Sequence, residues 1–168
     1  TEPRCLHLID PWCHMESDAG DPRAFLDGIA RAEGQFYGPE YNKHGDAQLL
    51  DVVRRFADRP EVEIHQQFSY KIAREFAPQT FDYVYIDGNH TYEYVLQDLL
   101  DFAPKVKDDG LIIGHDFFED EFAKENSYGV IDAVNRFLHR SKDFQLACLT
   151  YEPFPSFVLA RKHEARKW

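Results

Sequence analysis

Two apolar runs decide what this chain can fold into. "FDYVYI" (81–86) and "GLIIG" (110–114) are rich in β-branched and aromatic residues, and each stops within two residues at a carboxylate, Asp87 and Asp116. A shorter run, "LHLI" (6–9), ends on Asp10 in the same way. Between the runs the hydrophobic period lengthens to that of a helix. "TYEYVLQDLLDFAPKV" puts Tyr94, Val95, Leu99 and Phe102 on one face, with Thr91 at the N-cap position. "SYGVIDAVNRFLHR" does the same with Val130, Val134, Phe137 and Leu138. Strands alternating with helices predict an α/β fold, a mostly parallel sheet with helices on both faces. "FQLACLT" and "SFVLARK", flanking "YEPFP", predict an antiparallel hairpin at its C-terminal edge. Ligands of such sheets bind outside the carboxyl ends of the strands. Three aspartates at three strand ends are therefore what a function has to explain.

The other elements follow the same rules. Asp21-Pro22 is a standard helix opening for the stripe Phe25, Leu26, Ile29 and Ala30. The glycines and proline of 36–46 predict a loop. A second helix follows, carrying Leu49, Leu50, Val53 and Phe56 and stopping before Pro60. "VEIHQ" is a strand, and Ser69 caps a short helix behind it. At 168 residues and 43% hydrophobic content, the chain fits a single domain over 1–168. No apolar run reaches the roughly 18 residues of a membrane span. A net charge of −11 repels a phosphate backbone, so neither membrane nor nucleic acid is an expected partner. Cys5, Cys13 and Cys148 lack CxxC spacing, which reads as reduced thiols of a cytoplasmic protein rather than a zinc site.

Asp87 and Asp116 carry the chemistry if their strands are neighbours. Two close carboxylates repel, and a divalent cation with its preference for oxygen ligands relieves that repulsion. His90 lies three residues after Asp87, and His115 directly precedes Asp116. A neutral imidazole beside a metal-bound hydroxyl can act as general base. The bland roles are a turn former at Asp87, ahead of Gly88-Asn89, and a helix cap at Asp116. Asp10 is either a ribose ligand or a turn aspartate before Pro11. The remaining histidines, His7 and His65 among them, show no such pairing and read as surface or core residues.

"FDYVYIDGNHTYEYVLQDLLDFAPKVKDDGLIIGHDF" with "YGVIDAVNRF" resembles the class I S-adenosylmethionine-dependent methyltransferases. It is most similar to the small metal-dependent O-methyltransferases, whose signature runs DxxHxYxxVxxDL and closes on HD. The resemblance spans roughly residues 5–160 and implies a Rossmann-like fold. It also implies S-adenosylmethionine as cofactor, Mg2+ or another divalent cation, and a small hydroxylated acceptor. Asp10 would then hold the cofactor ribose. Phe68 and Ser69 would lie beside the adenine, and Asp87 would serve both cofactor and metal. Asp87 and Asp116 would ligate the metal with His115 as third ligand, and His90 would be the base. Trp12 and Tyr37 would line the acceptor pocket.

The chain departs from that family in one place: its first strand and glycine-rich turn are missing ahead of the strand ending at Asp10. A truncated sequence, a sheet that closes up or borrows a strand, and a role without the cofactor all remain open. An open sheet also favours self-association. Two other functions use the same residues. One is a metal-dependent hydrolase acting on a bound water through Asp87, His90, His115 and Asp116. The other is a non-catalytic methyltransferase-like binding module.

Overall fold

The computed structural model describes residues 4–12 and 41–162, which fall into two compact units divided between Ile72 and Ala73. The expected opening helix near 21–33, together with Cys13, His14, Tyr37 and His163, lies outside the described residues.

In the first unit, strand β1 (Leu6–Asp10) pairs in parallel with β2 (Val62–Gln66) over five partners, from Leu6↔Val62 to Asp10↔Gln66. Leu6, Leu8, Val62 and Ile64 share one face of this ribbon, and His7, Ile9, Glu63 and His65 share the other. Helix α1 runs from Tyr41 to Arg55, beginning inside the stretch whose glycines predict a loop. Its inward residues are Leu49, Val52 and Phe56, whereas Leu50 and Val53 are exposed, so the stripe is rotated from the expected one. The spacing 49, 52, 56 is itself helical. Leu49, Leu50, Val52, Val53 and Phe56 allow two overlapping stripes, and packing chose between them rather than the pattern. The short helix α2 (Ser69–Ile72) follows β2 at once. The Gln67 amide donates to the Asp10 carbonyl at 3.2 Å, drawing the start of α2 toward the end of β1.

The second unit is a four-stranded mixed sheet in the order β3-β4-β6-β5. Strand β3 (Phe81–Ile86) pairs in parallel with β4 (Val106–Gly114). Strands β5 (Phe144–Leu149) and β6 (Phe157–Arg161) form the expected hairpin, and β6 pairs antiparallel with β4. Between β3 and β4 run helix α3 (Tyr92–Phe102) and a 3-10 turn (Ala103–Lys105). Helices α4 (Glu121–Glu125) and α5 (Val130–Arg140) lead from β4 to the hairpin. Val95 and Leu99 of α3 and Val134 and Phe137 of α5 bury against Ile86, Ile112, Phe157 and Leu159 of the sheet. Burying one such side chain contributes about 1.5–3 kcal/mol, so this layer fixes where β3 and β4 end.

Strand β3, an apolar run by sequence, is buried on one face. Ile86 is in the core while Tyr83 and Tyr85 are half exposed, because α3 and α5 pack only on the side of Val84 and Ile86. Among the described residues β1 has β2 as its ladder partner and β3 has β4. The fold is a mixed α/β one with parallel pairing and a C-terminal antiparallel hairpin. No helix among the described residues is long and apolar enough to cross a membrane.

Candidate active site

Asp87 and His115 follow directly on β3 and β4, and the ladder that joins Ile86 to Gly114 sets them side by side. The His115 amide extends this pairing by donating to the Ile86 carbonyl at 3.1 Å. Gly114 makes room for the junction. A Cβ there would lie 2.3 Å from the ring of Phe157, its partner on β6. The chain then turns sharply, for Asp116 takes a left-handed conformation with φ of 59°. On a continuing strand His115 and Asp116 would face opposite sides. The turn instead brings His115 Nδ1 to 3.2 Å from Asp116 Oδ2.

His90 arrives from the other side. The Asn89 side chain accepts from the Thr91 amide at 2.9 Å and shapes the turn into α3. Thr91 occupies the N-cap position without a side-chain bond. The Gly129 amide, just ahead of α5, donates to the His90 carbonyl at 2.8 Å. The ring stacks on Tyr128, centroids 4.6 Å apart. Thus held, His90 Nε2 sits 2.8 Å from Asp116 Oδ2 and 3.5 Å from Asp87 Oδ1. His115 Nδ1 stands 3.8 Å from Asp87 Oδ1. Two carboxylates and two imidazoles therefore meet at one end of the sheet, as the strand ends predict.

Their environments differ. Asp116 is 6% exposed, whereas the Asp87 side chain is open to solvent. A carboxylate so buried needs partners, and the two imidazoles supply them. Asp116 does not cap the following helix; Asp120 does, accepting from the Ala123 amide at 2.8 Å. Ligand atoms of Asp87, His90 and Asp116 all lie within 4.8 Å of one another. The nitrogen expected to act as base thus stands among the expected metal ligands, closer to Asp116 than His115 is.

Tyr128 was not legible as a site residue. Its burial, and then the charges of Asp116 and Asp87, raise the phenol above its ordinary pKa, so it stays neutral and a hydrogen-bond donor at working pH. Phe118 and Phe122 meet the Tyr128 ring edge-on at 5.8 and 5.9 Å, and Phe154 of the hairpin turn meets both phenylalanines. Phe122 and Phe154 are about half exposed, which makes an aromatic surface beside the polar cluster. These residues come from the loop ahead of α4, α4 itself, the turn behind it and the hairpin turn, where no periodicity announces a shared position.

The other predicted residues lie in the first unit. Asp10 closes β1, and its side chain accepts from the Trp12 amide, so the turn role exists. Phe68 and Ser69 stand at the start of α2, with Phe68 stacked on Tyr70 at 5.6 Å and the Lys71 ammonium 5.8 Å from its ring. The Gln67–Asp10 hydrogen bond brings both segments to the carboxyl end of the ribbon, where α/β folds bind ligands.

By sequence, residues 3–117 match the methyltransferase domain family. No curated protein matches the chain. Solved structures agree in fold. A Corynebacterium glutamicum protein superposes with a TM-score of 0.54 at 12% identity, over 96% of this chain and 62% of its own. A Staphylococcus aureus protein described as a caffeoyl-CoA O-methyltransferase gives 0.50 at 13% identity, over 69% of this chain and 59% of its own. A Clostridium thermocellum protein described as an rRNA methylase gives 0.52 at 15% identity, over 95% and 88%. This chain thus spans less than two thirds of the first two.

Proposed function

The chain belongs to the methyltransferase domain family, and from that premise we propose that it is an S-adenosylmethionine-dependent O-methyltransferase of a small hydroxylated acceptor, assisted by a divalent cation. The observation that carries this reading is the cluster of Asp87, His90, His115 and Asp116, with His90 Nε2 2.8 Å from a buried carboxylate.

The donor set fits a hard cation such as magnesium, since Asp87 and Asp116 offer oxygen ligands within reach of each other. Bound there, such a cation would supply charge that lowers the pKa of an acceptor hydroxyl, and S-adenosylmethionine would supply an electrophilic methyl group. Asp10, Phe68 and Ser69 are the proposed contacts of the cofactor's nucleoside. His90 takes the acceptor's proton at Nε2. The His90 ring is held by its stack on Tyr128 and by the Gly129 amide, which donates to the His90 carbonyl; a cation bound by Asp116 would leave the Nε2 lone pair free for that proton. Phe118, Phe122 and Phe154 give the body of the acceptor an apolar wall, which favours an aromatic hydroxyl compound.

The tight His90–Asp116 pair also favours a second assignment, in which His90 is the third metal ligand and His115 the base. His90→Asn and His115→Asn variants separate the two: the base variant lowers the rate with cation affinity intact, and the ligand variant lowers cation affinity first. The reading as a whole is tested by calorimetry with S-adenosylhomocysteine, with and without magnesium. Micromolar binding that Asp10→Ala abolishes supports it. A folded chain that binds no S-adenosylhomocysteine refutes it, and magnesium binding alone would then favour a metal-dependent hydrolase. Reduced cysteines in a cytoplasmic setting belong to the same proposal.

A further inference from the structure

The polar face of the β1–β2 ribbon is a different kind of place. Cys5, just ahead of β1, and His7 lie along one strand, and Glu63 and His65 along the other. His7 and His65 were expected to stand alone, yet His7 Nδ1 is 2.9 Å from His65 Nε2, and their rings stack with centroids 5.2 Å apart. Glu63 Oε2 lies 3.4 Å from His7 Nδ1 and 3.8 Å from His65 Nε2. Cys5 Sγ is 3.4 Å from Glu63 Oε1 and 3.4 Å from His7 Nε2. Register explains the grouping. In a parallel pair, residues two apart on each strand share a face, so "C-x-H" on β1 meets "E-x-H" on β2.

We propose that Cys5, His7, Glu63 and His65 form a binding site for a zinc-class cation, separate from the Asp87–Asp116 cluster and independent of the methyltransferase reading. Zinc bonds of about 2.0–2.3 Å in a tetrahedron place neighbouring ligand atoms about 3.3–3.6 Å apart. The three distances among His7 Nδ1, Glu63 Oε2 and His65 Nε2, 2.9 to 3.8 Å, bracket that range. His7 Nδ1, Glu63 Oε2 and His65 Nε2 face one another as three ligands. Cys5, exposed and at the strand's start, reaches the fourth position by rotating its side chain. Thiolate, imidazole and carboxylate together suit zinc, whereas magnesium favours oxygen alone. The two clusters among the described residues thus differ in chemical hardness. Zinc binds the thiolate form of cysteine, so uptake by a thiol releases a proton.

The test is titration of the chelator-treated full chain with zinc and with cobalt(II) against a chromophoric chelator. It is run on the wild type and on a D87N/D116N variant that silences the other cluster. The expected result in both is one tightly bound equivalent, a cobalt–thiolate charge-transfer band that Cys5→Ser removes, and release of about one proton. His7→Ala, His65→Ala and the solvent-facing Glu63→Gln should each weaken zinc binding by roughly 100-fold or more, beyond the 10–100-fold typical of an outer-shell partner. Circular dichroism of the metal-free variants confirms their fold. A folded wild-type chain that takes up no zinc, lacks the thiolate band, or binds equally well as Glu63→Gln overturns the proposal.

Discussion

Replacing Gly114 by alanine tests how the active-site end of the sheet is packed. The added Cβ would lie 2.3 and 2.4 Å from two atoms of the Phe157 ring. Ordinary carbon contacts need about 3.5 Å, so ring or backbone must give by about 1 Å. Phe157 is 1% exposed and wedged against Phe117 at 5.8 Å, which leaves the ring no free direction. Overpacking of this kind costs about 1–3 kcal/mol. It is partly offset by the 0.5–1 kcal/mol or so that alanine gains over glycine inside a strand. The net loss should be about 1–2 kcal/mol, or a fall in Tm of roughly 2–8 °C at this size. Urea denaturation followed by far-ultraviolet circular dichroism measures it. A double-mutant cycle with Phe157→Leu should return a coupling of about 0.5 kcal/mol or more, the smaller side chain making room. A neutral or stabilising Gly114→Ala, or a cycle without coupling, would refute this packing account.

Other outcomes are equally open to measurement. Asp116→Asn should lower the Tyr128 pKa toward 10.0 without reaching it, because burial, the largest cause of its rise, persists; NMR titration of labelled tyrosine reads this. The same raised pKa means Tyr128 favours the folded state until pH climbs through its native value, where that contribution is lost. Adding magnesium to the wild type should move the phenol in the same direction, and a titration unmoved by either change would contradict the charge arrangement. Asp120→Ala removes the α4 cap and should cost about 1 kcal/mol, while raising the acceptor KM through the looser Phe122. Phe137→Ala, which empties a core position 2% exposed, should cost about 3–5 kcal/mol by thermal or chemical unfolding.

The alternation of strands and helices was legible because each period survives in the folded chain: Val95, Leu99 and Phe102 bury as the spacing predicts. The strand-end rule likewise places Asp87 and Asp116 at one edge if their strands are neighbours, and the β3–β4 ladder makes them so. What escaped was decided by tertiary contacts. Helix α1 starts six residues before its expected loop ends, since a glycine within a helix costs only about 1 kcal/mol and packing overrides it. The exposure of Tyr83 and Tyr85 depends on which face the helices cover, something β-propensity does not encode. His7 and His65 lie 58 residues apart, and only the ladder register reveals that they meet.

The left-handed turn at Asp116 has one more consequence. A φ of 59° is uncommon for side-chain-bearing residues; aspartate and asparagine adopt it more readily than most, and glycine does freely. Swapping in glutamate, which keeps the charge, would have to bend the backbone as well as lengthen the side chain. Asparagine alters the charge alone. At this position the substitution that looks more conservative is the more disruptive one. Of the residues that favour this region, aspartate is the one that also brings a negative charge.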